Sequence, residues 1–225
     1  MATVAENLAV VRGRIAEAAR KSGRKPEDVT LVTVTKTIDV PRIREALSAG
    51  AKDLGENYVQ EAIEKWEAIE PSDVRWHFIG HLQKNKARQA VGVFSTIQSV
   101  DNLPLAVEIG KRAEARGIVQ DILVEVNISG GETKYGVSPE DALDFAGEIA
   151  EVSGIRLQGL MGMAPFVADP EETRPYFARL KGLWDKLTDE QRQWLSMGMS
   201  HDFEIAIEEG SNMVRIGSAI FGPRA

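Results

Sequence analysis

Short runs of β-branched and aliphatic residues alternate along the chain with longer stretches whose apolar residues recur every three or four positions. Ala5 to Ser22 places Leu8, Val11, Ile15 and Ala18 at helical spacing, and Gly23 follows where a helix would end. Val29 to Lys36 is nearly all β-branched and predicts a strand. Pro41 to Ala49 predicts a helix with proline in its first turn and Gly50 after it. The rhythm then repeats. Strands are expected at Lys52–Asn57, Val74–Ile79, Phe94–Val100, Asp121–Ile128, Ile155–Met163, Trp194–Ser200 and Met213–Gly217. Helices are expected at Tyr58–Ile69, Lys84–Ala90, Pro104–Arg116, Pro139–Val152, Pro170–Leu187 and Phe203–Glu209.

Eight strands, each followed by a helix or helical turn, imply parallel pairing with right-handed crossovers. The fold class expected is α/β, a single (β/α)8 barrel of the TIM type spanning 1–225. A doubly wound open sheet is the alternative, because the second and fourth strands are weak. There is no Pro/Gly/Ser linker, low-complexity segment or strong repeat to divide the chain.

Composition narrows the chemistry. With 27 basic and 34 acidic residues the formal charge is −7, which argues against a nucleic-acid or anionic-membrane partner. The absence of cysteine removes disulfides, zinc–thiolate sites, iron–sulfur clusters and cysteine nucleophiles. No secretory signal is visible at Met1–Glu6 and no apolar run is long enough for a membrane span, so a cytoplasmic location is expected.

In such a barrel, function gathers where strands end. Those ends offer Lys36, Asn57, Gly80-His81, Ser99, Asn127, Met161 to Met163, Ser200, Arg215 and Gly217-Ser218, a set suited to an anion. Lys36 shares parity with Val32 and Val34, so its stem would lie among apolar neighbours. Burial disfavours the ammonium, and a neutral amine can form a Schiff base with a carbonyl. The plain alternative is a lysine snorkelling to water. The turn at Gly217-Ser218, with Ser200 beside it, could bind phosphate through N–H groups and hydroxyls; it could equally be a barrel-closing glycine turn.

Other motifs weigh less. His77 and His81 lie at a strand end rather than on one helical face, so a metal site is not expected. Ser200-His201-Asp202 contains triad residue types, but triads assemble in space rather than consecutively. Lys84, Lys86 and Arg88 are expected on a solvated face. Gly130 to Gly136 is a glycine-flanked polar loop, and the Met-Gly-Met segments at 161–163 and 197–199 are expected to pack.

Taken together, Val34-Thr35-Lys36-Thr37, Gly55-Glu56-Asn57-Tyr58, His77 to Lys86, Val124 to Ile128, Leu195 to Ser200 and Val214 to Gly217 occur in an order that resembles the pyridoxal phosphate homeostasis proteins. That family, also called proline synthase co-transcribed, is related to the N-terminal barrel of alanine racemase, and the resemblance covers nearly the whole chain. It implies pyridoxal 5′-phosphate as cofactor, held as an internal aldimine by Lys36, with Asn57 near the ring. It further implies Ser200, Gly217 and Ser218 at the phosphate and Arg215 at the pyridine nitrogen. Ser218 stands where threonine is common and Thr35 where serine is common, and neither change removes a hydroxyl.

An arginine at the ring nitrogen cannot leave a pyridinium there, which weakens the electron sink. Racemisation also needs a second proton-transfer group on the opposite face. In alanine racemase that group is a tyrosine from a second domain, which this chain is expected to lack. Tyr58, Tyr135 and Tyr176 do not match it. The expectation is therefore a monomeric, non-catalytic carrier in vitamin B6 homeostasis that passes the cofactor to apoenzymes. A low-activity amino-acid racemase is the first alternative, and a Lys36-dependent barrel aldolase the second.

Overall fold

The computed structural model describes residues 2–69, 73–131 and 135–223. Eight parallel strands close on themselves in sequence order: β1 (Thr30–Val34), β2 (Asp53–Glu56), β3 (Arg75–Phe78), β4 (Thr96–Val100), β5 (Gln120–Val126), β6 (Ile155–Gly162), β7 (Trp194–Ser196) and β8 (Met213–Ile216). β1 pairs with both β2 and β8, with Val32 opposite Asp53 on one side and Arg215 on the other. This closure bears out the barrel and overturns the open-sheet alternative. Closing the sheet removes its edges, so even three-residue β7 is held on both sides.

The helices are α1 (Val4–Lys21), α2 (Val40–Ser48), α3 (Val59–Ile69), α4 (Ala87–Ala90), α5 (Leu103–Glu114), α6 (Ala142–Ala150), α7 (Arg174–Trp184), α8 (Phe203–Glu208) and α9 (Ser218–Phe221). Local chemistry sets their starts. Thr3 and Glu6 form a capping box before α1, and Asp39 and Asn102 cap α2 and α5 ahead of an early proline. α1 packs on α2, α8 and α9 and buries Leu8, Val11 and Ile15 beside Phe203, Val214 and Ile216. The larger core lies between the remaining helices and strands, around Trp76, Phe78, Ile97, Leu105 and Phe177.

Several boundaries differ from those the periodicity predicts. The first strand stops at Val34, not Lys36, because Thr37 adopts a left-handed φ of 63° and turns the chain. The seventh strand ends at Ser196 rather than Ser200, so Ser200 lies in a loop. Gly198, at φ 94°, makes that turn, and a Cβ there would fall 2.6 Å from Ala206. Phe94 precedes β4 and forms an isolated bridge with Val91. Lys84–Lys86 and Pro170–Thr173 are 3₁₀ turns leading into α4 and α7 rather than full α-helix. The segment after β8 is the short helix α9.

Candidate cofactor site

The carboxyl ends of β1, β2, β7 and β8 are contiguous around the closed barrel. Lys36 lies just past β1, Asn57 just past β2, and Ser200 between β7 and α8. Arg215 is on β8, and Gly217 and Ser218 lead from that strand into α9. All six line one cavity of about 430 Å³ at the barrel mouth. Val34 and Ile79 supply apolar wall, and Glu125, Tyr135, Met163, Phe166 and Met199 line the side toward β5 and β6.

Two glycines shape this mouth. A Cβ on Gly80 would lie 2.4 Å from the Asn57 carbonyl oxygen, so only glycine lets the end of β3 close on Asn57. A Cβ on Gly217 would sit 3.2 Å from Val34, which keeps the β8 turn tight against β1. The amides of Gly217 and Ala219 converge on Ser200 Oγ at 3.4 and 3.3 Å. One hydroxyl and two N–H groups thus meet beside the turn.

The half-buried Lys36 is gripped through its neighbours. Buried Lys65 Nζ donates to the Thr35 carbonyl at 2.6 Å, to Glu56 Oε1 at 2.8 Å and to Glu61 Oε1 at 2.6 Å. Thr35 Oγ1 donates to Glu56 Oε1 at 2.6 Å, and the Thr37 amide donates to Glu61 Oε1 at 2.6 Å. Both flanks of Lys36 are therefore tied to one ionic cluster, which stabilises the left-handed Thr37. Burial raises the Glu56 carboxyl above its usual range, against the lowering bonds from Lys65 and Thr35.

Arg215 is buried, and its guanidinium donates to Ser196 Oγ at 2.6 Å and to the Gly162 carbonyl at 3.0 Å. Burial pushes it down to about 10, so it stays cationic at neutral pH, with Glu125 and Asp202 opposing the shift. Glu125 is pushed up to about 7, first by burial and then by the Asp101 charge, against the pull of Arg215. A buried carboxyl that titrates near neutrality at the cavity wall can hold or release a proton under ordinary conditions.

The fit to pyridoxal phosphate can be tested on the residues themselves. Asn57 Oδ1 is buried at this cavity and has no hydrogen-bond partner. A buried acceptor without a donor is costly, and a protonated or hydroxyl-bearing ligand would satisfy it. An amine, a hydroxyl with two amides, a buried guanidinium and an apolar slot are the donor set that an aldehyde, a phosphate and a pyridine ring require. The residues fit the group.

Sequence reasoning reached these six residues but missed others. Glu125 was legible as a carboxylate inside the apolar run Ile122 to Val126. Lys65 and Glu61 sit on α3 and gave no signal, because a charged helix residue ordinarily faces water. Met163 and Met199 line the cavity, whereas Met161 and Met197 are buried packing. Ser99 is buried with an unpartnered hydroxyl and does not line the mouth. His81 stacks on Tyr135 at 3.7 Å between ring centres, while His77 lies inside the barrel. His201 bonds the Val167 carbonyl and Asp202 accepts from the Met199 amide, so each serves loop structure. In the loop from Gly130 to Gly136, residues 132–134 lie outside the described residues.

Known proteins share this chain's sequence and fold. The family model for the alanine racemase N-terminal domain matches residues 7–225. The pyridoxal phosphate homeostasis protein of Aquifex aeolicus is 45% identical, with 97% of each chain covered. That of Pseudomonas aeruginosa is 41% identical, covering 100% of this chain and 97% of the other. PipY of Synechococcus elongatus PCC7942, solved with PLP bound, superposes with a TM-score of 0.82 at 33% identity, over 98% of this chain and 100% of that one. With its barrel and sequence matched from end to end, the chain belongs to the alanine racemase N-terminal domain family, among the pyridoxal phosphate homeostasis proteins.

Proposed function

We propose that the protein binds pyridoxal 5′-phosphate at the barrel mouth, joined to Lys36 as a Schiff base, and acts in vitamin B6 and indirectly amino-acid homeostasis. Residues 1–225 act as one monomeric cytoplasmic unit that buffers the cofactor and passes it to apoenzymes needing it. The carrying observation is the convergence of Lys36, Asn57, Ser200, Arg215, Gly217 and Ser218 on one cavity with an unpartnered Asn57 acceptor. Relatives named for pyridoxal phosphate homeostasis, and PipY solved with PLP bound, support the same ligand.

Pyridoxal phosphate, when bound, supplies an aldehyde that condenses with an amine, releasing water, and a ring that can delocalise charge. Lys36 Nζ is the amine, oriented by the cluster that fixes Thr35 and Thr37. Ser200 Oγ and the Gly217-Ser218 turn would hold the phosphate through a hydroxyl and backbone N–H groups. Arg215 would offer a donor to the ring nitrogen, and because it stays cationic at neutral pH it would not leave a proton there, which disfavours deep carbanion chemistry. Val34 and Ile79 would give the ring an apolar wall.

Glu125 and Tyr135 favour one second reading, a weak amino-acid racemase, because both stand at the mouth and can carry protons. One experiment separates the two. Purified protein is titrated with pyridoxal phosphate and with pyridoxal, followed by visible absorption, and the loaded form is then given L- and D-alanine. The carrier reading expects pyridoxal to bind roughly a hundredfold more weakly, since two charge-assisted bonds are lost, with negligible racemisation. Equal affinities would remove the phosphate seat. Turnover of about 1–1000 per second would establish the racemase.

A further inference from the structure

A file of buried polar side chains runs from Arg215 across the barrel beneath the mouth, and its other members take no part in the function proposed above. Asp53 Oδ1 lies 2.9 Å from His77 Nε2, and the same carboxylate receives both guanidinium bonds of Arg75 at 2.7 Å. His77 Nδ1 lies 3.2 Å from Gln98 Nε2. Ser196 Oγ donates to Gln98 Oε1 at 2.7 Å, and Arg215 Nη1 donates to Ser196 Oγ at 2.6 Å. The five residues come from β2, β3, β4, β7 and β8, and each is buried.

The hydrogens in this file can be placed by elimination. Arginine only donates, so the Ser196 hydroxyl accepts from Arg215 and gives its own hydrogen to Gln98 Oε1. That fixes the Gln98 amide with its NH₂ toward His77, whose Nδ1 must then be bare. Nε2 carries the ring hydrogen and donates it to Asp53. Turning the Gln98 amide over would require Nδ1–H, which in a neutral ring leaves a bare Nε2 lone pair against a carboxylate. A charged His77 would also reverse the amide and take away the acceptor of Ser196. Asp53 is a suitable terminus: burial alone would raise its carboxyl, but the bonds from His77 and Arg75 hold it below the usual range. From Arg215 to Asp53 each link therefore donates in the same sense, away from the mouth, and bonds aligned this way polarise one another.

We propose that Ser196, Gln98, His77 and Asp53 are positioning residues for Arg215, a one-way hydrogen-bond file that locks His77 as the Nε2–H tautomer and aims the guanidinium's remaining donors at the mouth. The tautomer stands on the file alone. The effect on ligand rests on the mouth being the pyridoxal phosphate site.

The chain has three histidines, so ¹⁵N-histidine spectra are simple. His77, assigned through its own backbone, is expected to show the neutral Nε2–H pattern in the cofactor-free protein. A neutral Nδ1–H ring or a charged ring at neutral pH would overturn the file. Ser196→Ala should weaken pyridoxal phosphate binding by about tenfold and move the absorption maximum of the bound form, because Arg215 loses its hold. In an Arg215→Gln background the same change should cost nothing further and move no band. Additive losses would show that Ser196 acts on packing and not through Arg215. If wild type takes up no pyridoxal phosphate, the proposed function falls, and the His77 tautomer still decides the file.

Discussion

Trp76 and His77 are consecutive in β3 and equally buried, yet they face opposite sides of the barrel wall. Trp76 packs outward with Phe78, Ile97 and Leu105 in the layer beneath the helices. His77 turns inward and meets Asp53 and Gln98. The alternation continues around the closed sheet. Leu54, Leu195 and Ile216 join the outer cores, while Asp53, Ser196 and Arg215 join the inner polar file. In a parallel barrel both faces are dry, so burial does not separate structure from chemistry. The kind of partner does: the outer face gains from dispersion and area removed from water, and the inner face must satisfy each polar atom.

Truncating the outer face should have the largest effect. Trp76→Ala removes a fully buried indole and leaves a cavity, and about 3–5 kcal/mol of unfolding free energy should be lost in denaturant melts. A loss under about 1 kcal/mol would mean that the wall does not depend on this packing. The contrast sharpens if pyridoxal phosphate uptake, measured where the variant is still folded, is little changed.

On the inner side Glu125→Gln should act through pH. The native carboxyl is raised from 4.5 to about 7, so between those values the folded chain holds a proton that the unfolded chain has released. Wild-type stability from this group is therefore full below about pH 4.5 and falls as pH rises to about 7, by up to roughly 3 kcal/mol. Glutamine keeps the shape and does not titrate. The variant should lose this slope and exceed wild type most above pH 7. Parallel curves for the two proteins through this window would show that Glu125 is not the titrating group.

Most of the barrel was legible because its signals are local. β-branched runs, early prolines and glycines after helices marked the elements, and the order of alternation gave parallel closure. The strand ends were less legible. Lys36 and Ser200 lie beyond the strands because Thr37 and Gly198 adopt positive φ, and a single sequence does not print φ. The six mouth residues could be gathered because each sits at or just past a strand end. The cluster of Lys65 with Glu56 and Glu61, and the file from Asp53 to Arg215, join residues distant in sequence or hidden on helix faces. Lys65 and Glu61 are one turn apart on α3, but their meeting with Glu56 and Thr35 and the links of the file come only with the fold.

The central claim is that the mouth holds pyridoxal phosphate on Lys36. Loaded protein reduced with borohydride, digested and mapped by peptide mass tests it most directly. One pyridoxyl adduct on Lys36, absent from Lys36→Ala, is expected. An adduct on a different lysine, or an undiminished adduct in the variant, would contradict it.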